Sequence, residues 1–259
     1  MRRLILVALA AAALGLPAQQ ATDPAEKNAQ QARQVLDQMV QALGGEAWMH
    51  QQSMQREGHV AAFFHGQPEP GTTQFWEFHA WPDHDRFEYT KHRDVVQMYV
   101  GRQGWEVTYK GKKPLPAEQV DDFLRRRDHS IETAVKIWLK DARTILVYEG
   151  QHLAARRLAD QVTLISPENE AVTILTDTQT HLPLKRVFQW RDPVYKDKNT
   201  DSEEYDDYHT FDGFPTPFTI TRYKNDEIIQ QRYMDHVHFN QPLADDLWNV
   251  DHLAQRIKK

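Results

Sequence analysis

Two long tracts of the chain, Ser53–Lys110 and Thr144–Phe239, read as short segments of alternating polarity, with a turn signal about every ten residues. That cadence leaves no room for the crossovers a parallel sheet needs, so it selects antiparallel strands joined by hairpins. The candidate strands of the first tract are Gln55–His65, Thr72–Trp81, Arg86–Lys91, Val95–Val100 and Trp105–Tyr109. GQPEPG and PDHD mark turns among them. Those of the second are Thr144–His152, Gln161–Ser166, Ala171–Asp177, Leu184–Trp190, Glu203–His209, Pro217–Tyr223 and Ile228–Phe239. Phe87 and Tyr89 share one face, with Arg86, Glu88 and Thr90 on the other; Leu184, Phe188 and Trp190 share a face opposite Lys185, Gln189 and Arg191. Residues 193–203, PVYKDKNTDSE, read as a mobile polar loop.

The stretch DDYHTFDGFPTPFTI (206–220) carries the sharpest hairpin signal. Asp212-Gly213 suits a two-residue turn, because Gly accepts the positive φ such turns require. Pro215 and Pro217 lack a donor N–H, so they are expected to blunt the start of the second strand.

Helices frame the strands. Asp23 can cap, Pro24 suits the first helical position, and Ala29, Ala32, Leu36, Met39, Val40 and Leu43 recur at spacings of three and four until Gly44-Gly45. Between the two tracts, Pro116 opens a helix with acids at its front and Arg125, Arg126 and Arg127 at its back, an order that suits the helix dipole. Ser130 opens another, with Ile131, Ala134, Val135, Trp138 and Leu139 on one face. The sum is a mainly β fold: about ten to twelve antiparallel strands in one curved sheet, a half-barrel, with about three helices on its concave face. So few helices cannot fill the concave side of so many strands. The expected remainder is a greasy hollow suited to apolar ligands.

The first 18 residues have the layout of a secretory signal peptide: Arg2 and Arg3, an apolar run from Leu4 to Leu16, then Ala18. That run is shorter than the roughly 20 residues a membrane-spanning helix needs. Cleavage after Ala18 would leave residues 19–259 as one domain. The chain has no Cys, hence no disulfides and no site for lipidation after the signal, so a soluble periplasmic protein is expected. A net charge of -6 argues against nucleic acid as a partner.

Two stretches carry a family resemblance. LGGEAWMHQQSMQREGHV (43–60), following an amphipathic helix, and 206–250, which runs through Asp212-Gly213, Pro215 or Pro217, and Asn240, Pro242, Leu243 and Asp245, resemble the outer-membrane lipoprotein-sorting (LolA-like) proteins. The resemblance implies a half-barrel with a helical lid, whose hydrophobic cavity receives the acyl chains of lipids or lipoproteins, without catalysis or cofactor. No position aligns with the functional arginine of those carriers, so no site residue is carried over by motif. From side-chain chemistry, Phe87, Tyr89, Trp138, Phe188, Trp190, Phe218, Ile220 and Tyr233 are the candidate cavity residues, and Arg125, Arg126 and Arg127 the candidate headgroup contacts near its rim.

Rival readings come from another class. His236 and His238 lie two apart on one strand, and His79 and His84 flank a turn, but no metal-binding spacing accompanies them. The acids Asp201, Glu203, Glu204, Asp206 and Asp207 read as a solvated edge that discourages edge pairing. There is no GxSxG, P-loop or GxGxxG for a hydrolase or nucleotide enzyme. An envelope interaction or sensor module, whose cavity takes a partner segment, is the second reading, and a metal- or carboxylate-dependent secreted hydrolase the third.

Overall fold

The computed structural model describes residues 23–257; the proposed signal segment lies outside them. Its strands are β1 (Ser53–Phe64), β2 (Gln67–Pro68), β3 (Thr73–Ala80), β4 (His84–Tyr89), β5 (Val95–Val100), β6 (Gln103–Thr108), β7 (Gly111–Pro114), β8 (Ile145–Ala154), β9 (Arg157–Ile165), β10 (Ala171–Asp177), β11 (Pro183–Arg191), β12 (Lys198–Phe211), β13 (Phe214–Lys224) and β14 (Glu227–Phe239). They form one curved antiparallel sheet in the order β7-β6-β5-β4-β3-β1-β14-β13-β12-β11-β10-β9-β8, with β2 a short partner of β1. The sheet is not closed, and its edges are β7 and β8. Fourteen strands exceed the expected ten to twelve because β2 and β7 are too short to register in the alternation.

The Asp212-Gly213 turn joins β12 to β13 with positive φ at both residues, 47° and 87°, the pattern of a type I′ turn. Pro215 and Pro217 sit inside β13 opposite Thr210 and Tyr208, in the part of the strand that precedes its pairing with β14. Their missing N–H groups therefore break no ladder bond. At the centre of the sheet, β1 meets β14 through a bulge at Glu57/Gly58. A Cβ on Gly58 would fall 1.9 Å from the Tyr233 carbonyl oxygen, so only glycine allows this approach. Bulges bend the strand that carries them, which suits a curved sheet.

The helices are α1 (Pro24–Leu43), α2 (Gly45–Met49), α3 (Ala117–Asp128), α4 (Ile131–Lys136) and α5 (Val250–Ile257). Asp23 Oδ1 accepts from the Ala25 N–H at 3.0 Å, and α1 ends at Gly44, whose φ is 124°. Ala32, Val35, Leu36, Met39 and Leu43 bury their stripe in the main core with Ala134 and Val135 of α4, Val162 and Leu164 of β9, and Val172 and Ile174 of β10. The helix expected to run from Ser130 through Leu139 is shorter: α4 ends before an exposed Ile137, and Trp138–Lys140 forms a 3-10 turn. The Thr144 hydroxyl, donating to the Trp138 carbonyl at 2.6 Å, holds that turn.

The helices do not all lie on one face. Phe123 and Leu124 of α3 pack on Tyr99, whereas Leu253 and Ala254 of α5 pack on Val96, Met98 and Val107. Residues 96 and 98 alternate with 99 along β5, so α3 and α5 clamp this wing of the sheet from opposite sides. The second face of β4 is buried accordingly. Arg86 and Glu88 pair at 2.6 Å there, and Arg86 Nη1 donates to the Leu247 carbonyl at 2.7 Å.

Candidate ligand cavity

A cavity of about 350 Å³ opens between the concave face and the helices, within the range of about 300–1,000 Å³ usual for small-molecule sites. Leu43, Trp48 and Phe214 line it beside Phe239, whose ring meets that of Phe214 edge-on at 5.0 Å. Phe87, Tyr99 and Phe123 form a second aromatic group, with the Tyr99 and Phe123 rings stacked at 3.7 Å. Its wall is not uniformly greasy. Six arginines (Arg56, Arg126, Arg127, Arg186, Arg222 and Arg232) line it against four carboxylates (Glu77, Asp85, Glu132 and Glu203).

These charges are placed by register. Arg186, Glu203 and Arg222 stand directly opposite one another on β11, β12 and β13. Arg56 and Glu77 are paired in the same way across β1 and β3. Opposite charges at facing positions attract, so the ladder reinforces the strand order. Arg56 Nε meets Glu77 Oε2 at 2.6 Å; Arg232 bridges Glu77 and Glu203 at 3.4 and 3.5 Å; Arg186 reaches Glu203 at 3.2 Å and Asp201 at 3.3 Å. Arg222 extends the chain to Asp201 at 2.8 Å and Asp122 at 3.4 Å, and Asp122 also takes Arg126 at 3.3 Å.

Burial alone would raise the carboxyls, but the guanidinium groups outweigh it. Arg56 and Arg232 hold Glu77 below the ordinary range, and Arg186, Arg232 and Arg222 hold Glu203 far below it. For two arginines the balance runs the other way. Burial, aggravated by the neighbouring Arg222, depresses Arg126, and burial aggravated by Arg56 depresses Arg232. Tyr89, buried and close to Glu77, is pushed up to about 12. The hydroxyl of Tyr205 donates to Glu203 at 3.0 Å, beside the Arg186 guanidinium.

Of the candidate cavity residues, Phe87, Tyr89 and Ile220 line the space. Phe188 is instead in the core, stacked on the His129 ring at 4.5 Å, with Trp138 and Trp190 packed nearby. Phe218 packs against the same core, and Tyr233 hydrogen-bonds Gln231. Among the candidate headgroup arginines, Arg126 faces the cavity beside Phe123. Arg127 lines it too, but its guanidinium is held by the Asp83 and Gly101 carbonyls and by Asp85. Arg125 lies over the Trp190 ring at 4.6 Å and is not part of the lining.

The acid run at 201–207 is corrected by the sheet order. β12 is an interior strand between β11 and β13, and Asp201 is fully buried, so this is not a solvated edge. The loop expected over 193–203 shrinks for the same reason, because residues from Lys198 onward pair with β11 and β13. What the sequence reading missed is the buried salt-bridge ladder. Its signal was present: Arg186 shares a strand face with Leu184 and Phe188, and Glu203 shares one with Tyr205.

His236 and His238 are exposed, and His238 Nδ1 lies 3.2 Å from Asp212. His79 is buried against Asp85 at 2.5 Å, while His84 pairs separately with Asp83 at 2.8 Å. Among the described residues, no group of three or more His, Asp or Glu side chains is placed to hold a metal ion. No helix among them is long and apolar enough to cross a membrane.

No family model matches the chain in sequence, and no curated protein does. Solved structures do match in shape. A DUF1329 family protein from Desulfovibrio piger superposes with a TM-score of 0.59 at 12% identity, over 90% of this chain and 100% of that one. An outer-membrane lipoprotein-sorting protein domain from Vibrio parahaemolyticus gives 0.55 at 10% identity, over 88% and 100%. A LolA superfamily protein from Nitrosomonas europaea gives 0.54 at 11%, over 85% and 98%. The chain has a LolA-like fold. Within that LolA-like frame, the cavity lies between the concave face and the helices, as the half-barrel with a lid implies.

Proposed function

We propose that this LolA-like protein is a non-enzymatic carrier in the periplasm that shields the acyl chain of a lipid or lipoprotein inside the cavity. The observation that carries the reading is the open space between sheet and helices, walled at two places by aromatic groups. Each methylene moved from water into such a space contributes about 0.8 kcal/mol, so ten contribute about 8 kcal/mol before ordering costs. The fold shared with lipoprotein-sorting proteins supports the same reading. Shape and apolar contact would then select the chain.

The test is displacement of a fluorescent fatty acid from the purified chain. Saturable one-to-one binding, displaced by unlabelled fatty acid and blocked by Ile220→Trp, which fills the cavity, is the expected result. No binding below the aggregation threshold of the probe would overturn the reading.

A further inference from the structure

The carrier reading leaves the arginines unexplained, since an acyl chain needs no guanidinium. Arg186 is 1% exposed and lines the cavity, yet its Nε and Nη1 atoms have no hydrogen-bond partner. Nη2 is engaged by Asp201 and Glu203, and the guanidinium lies over the Phe188 ring at 4.9 Å. Unsatisfied buried donors are rare in folded proteins, and charged ones are the most costly. Close by, Arg126 has a single acidic partner, Asp122, which it shares with Arg222.

The counter-charges are also set unevenly. Of the three acids that pair with this group, Glu203 lines the cavity but Asp122 and Asp201 do not, whereas Arg126, Arg186 and Arg222 all do. The guanidinium groups are therefore presented to the hollow with part of their compensation behind them. Planar guanidinium donors suit carboxylate and phosphate oxygens, and such charge-assisted bonds are the strongest of their kind.

We propose that Arg186, with Arg126 and Arg222, receives the anionic group of the ligand, so that an amphiphile enters the cavity acid first. The bound class is then a free fatty acid or an alkyl phosphate rather than a neutral ester. Its tail runs from the arginines along the aromatic wall. This rests on the carrier reading, but its failure is separable from that reading's.

The experiment uses the purified chain and the same fluorescent fatty acid as reporter. Competitors are myristic acid, methyl myristate, monododecyl phosphate and inorganic phosphate. Myristic acid and the alkyl phosphate should compete about tenfold better than the methyl ester, the scale of one charge-assisted bond. Arg186→Gln should abolish that preference, read as the ratio of acid to ester competition within the same variant. Arg186→Gln removes a partner of Glu203 and Asp201, so Arg126→Gln, in which Asp122 keeps Arg222, serves as the second variant and should reduce the preference. Acid and ester competing equally, or a preference that survives both variants, overturns the inference while the carrier reading stands. Competition by inorganic phosphate as strong as by its alkyl ester would support the anion site and overturn the carrier reading. Failure of every competitor, with no binding of the reporter, would overturn both.

Discussion

Beneath α1 the sheet presents Val162, Leu164, Val172 and Ile174, and Leu36 and Met39 pack against them with no exposure left. Across β11, β12 and β13 the sheet presents Arg186, Glu203 and Arg222, and the space in front of them stays open. Both regions are buried, but they satisfy burial differently. Aliphatic side chains are stabilised by filling volume, so contact is their whole requirement. Buried guanidinium and carboxylate groups are stabilised by partners at defined positions, and once these are met the volume beyond can remain empty. Here that requirement is met only in part, because Arg186 Nε and Nη1 face the hollow without a hydrogen-bond partner.

That contrast can be broken from either side. The largest effect is expected in the charged region. Glu203→Gln leaves Arg186 and Arg232 short of a carboxylate in a buried site and should cost about 3–5 kcal/mol in denaturant unfolding. The pH dependence has a definite sign. Glu77 and Glu203 both titrate below the ordinary glutamate value of 4.5, so their contribution is complete above that pH and is lost as pH falls through their folded values. Acid unfolding of the parent chain should steepen below about pH 4.5, and in Glu203→Gln it should be shallower.

In the filled region, Leu36→Ala should cost about 2–5 kcal/mol, through lost transfer energy and an unfilled cavity. A smaller cost would mean that the α1 interface is itself loose.

Lys136 sharpens the rule by violating it. Its ammonium is buried between Trp48 and Trp81, at 4.5 and 4.3 Å from the ring centres, and Nζ has no hydrogen-bond partner. Burial lowers its pKa from 10.5 to about 8. Its destabilising effect is therefore full below pH 8 and eases as pH rises toward 10.5. Lys136→Met should stabilise the fold at pH 7 by about 1–3 kcal/mol, after loss of the cation–π contacts. The gain should shrink in thermal melts run above pH 8.

The smallest effect is expected at the cavity surface. Tyr89 lines the hollow, so Tyr89→Phe should change stability by less than about 1 kcal/mol while altering ligand competition.

Most of the architecture was legible because it rests on local chemistry. The Asp23 cap, the stripe through Leu36 and Met39, the Asp212-Gly213 turn and the period of two all report nearest-neighbour preferences. The cavity was legible only as an excess of strands over helices. Three of its aromatic and aliphatic residues, Phe87, Tyr89 and Ile220, could be picked by strand parity, whereas Phe188 and Trp190 share the same parity but meet a helix-covered part of the face. Which part is covered depends on where α1, α3 and α4 dock, a tertiary matter that no local pattern encodes. The ladder was missed for a different reason. Charged residues on alternating strands are ordinarily assigned to water, and only the register of β11, β12 and β13 shows that Arg186, Glu203 and Arg222 face one another.

The most direct measurement is native mass spectrometry of the chain isolated from its own cells without detergent. A population carrying the added mass of one acyl amphiphile, removed by organic extraction and restored on adding fatty acid, is the predicted result. Bare mass alone, with no uptake of fatty acid in solution, would contradict a hollow that serves as a lipid site.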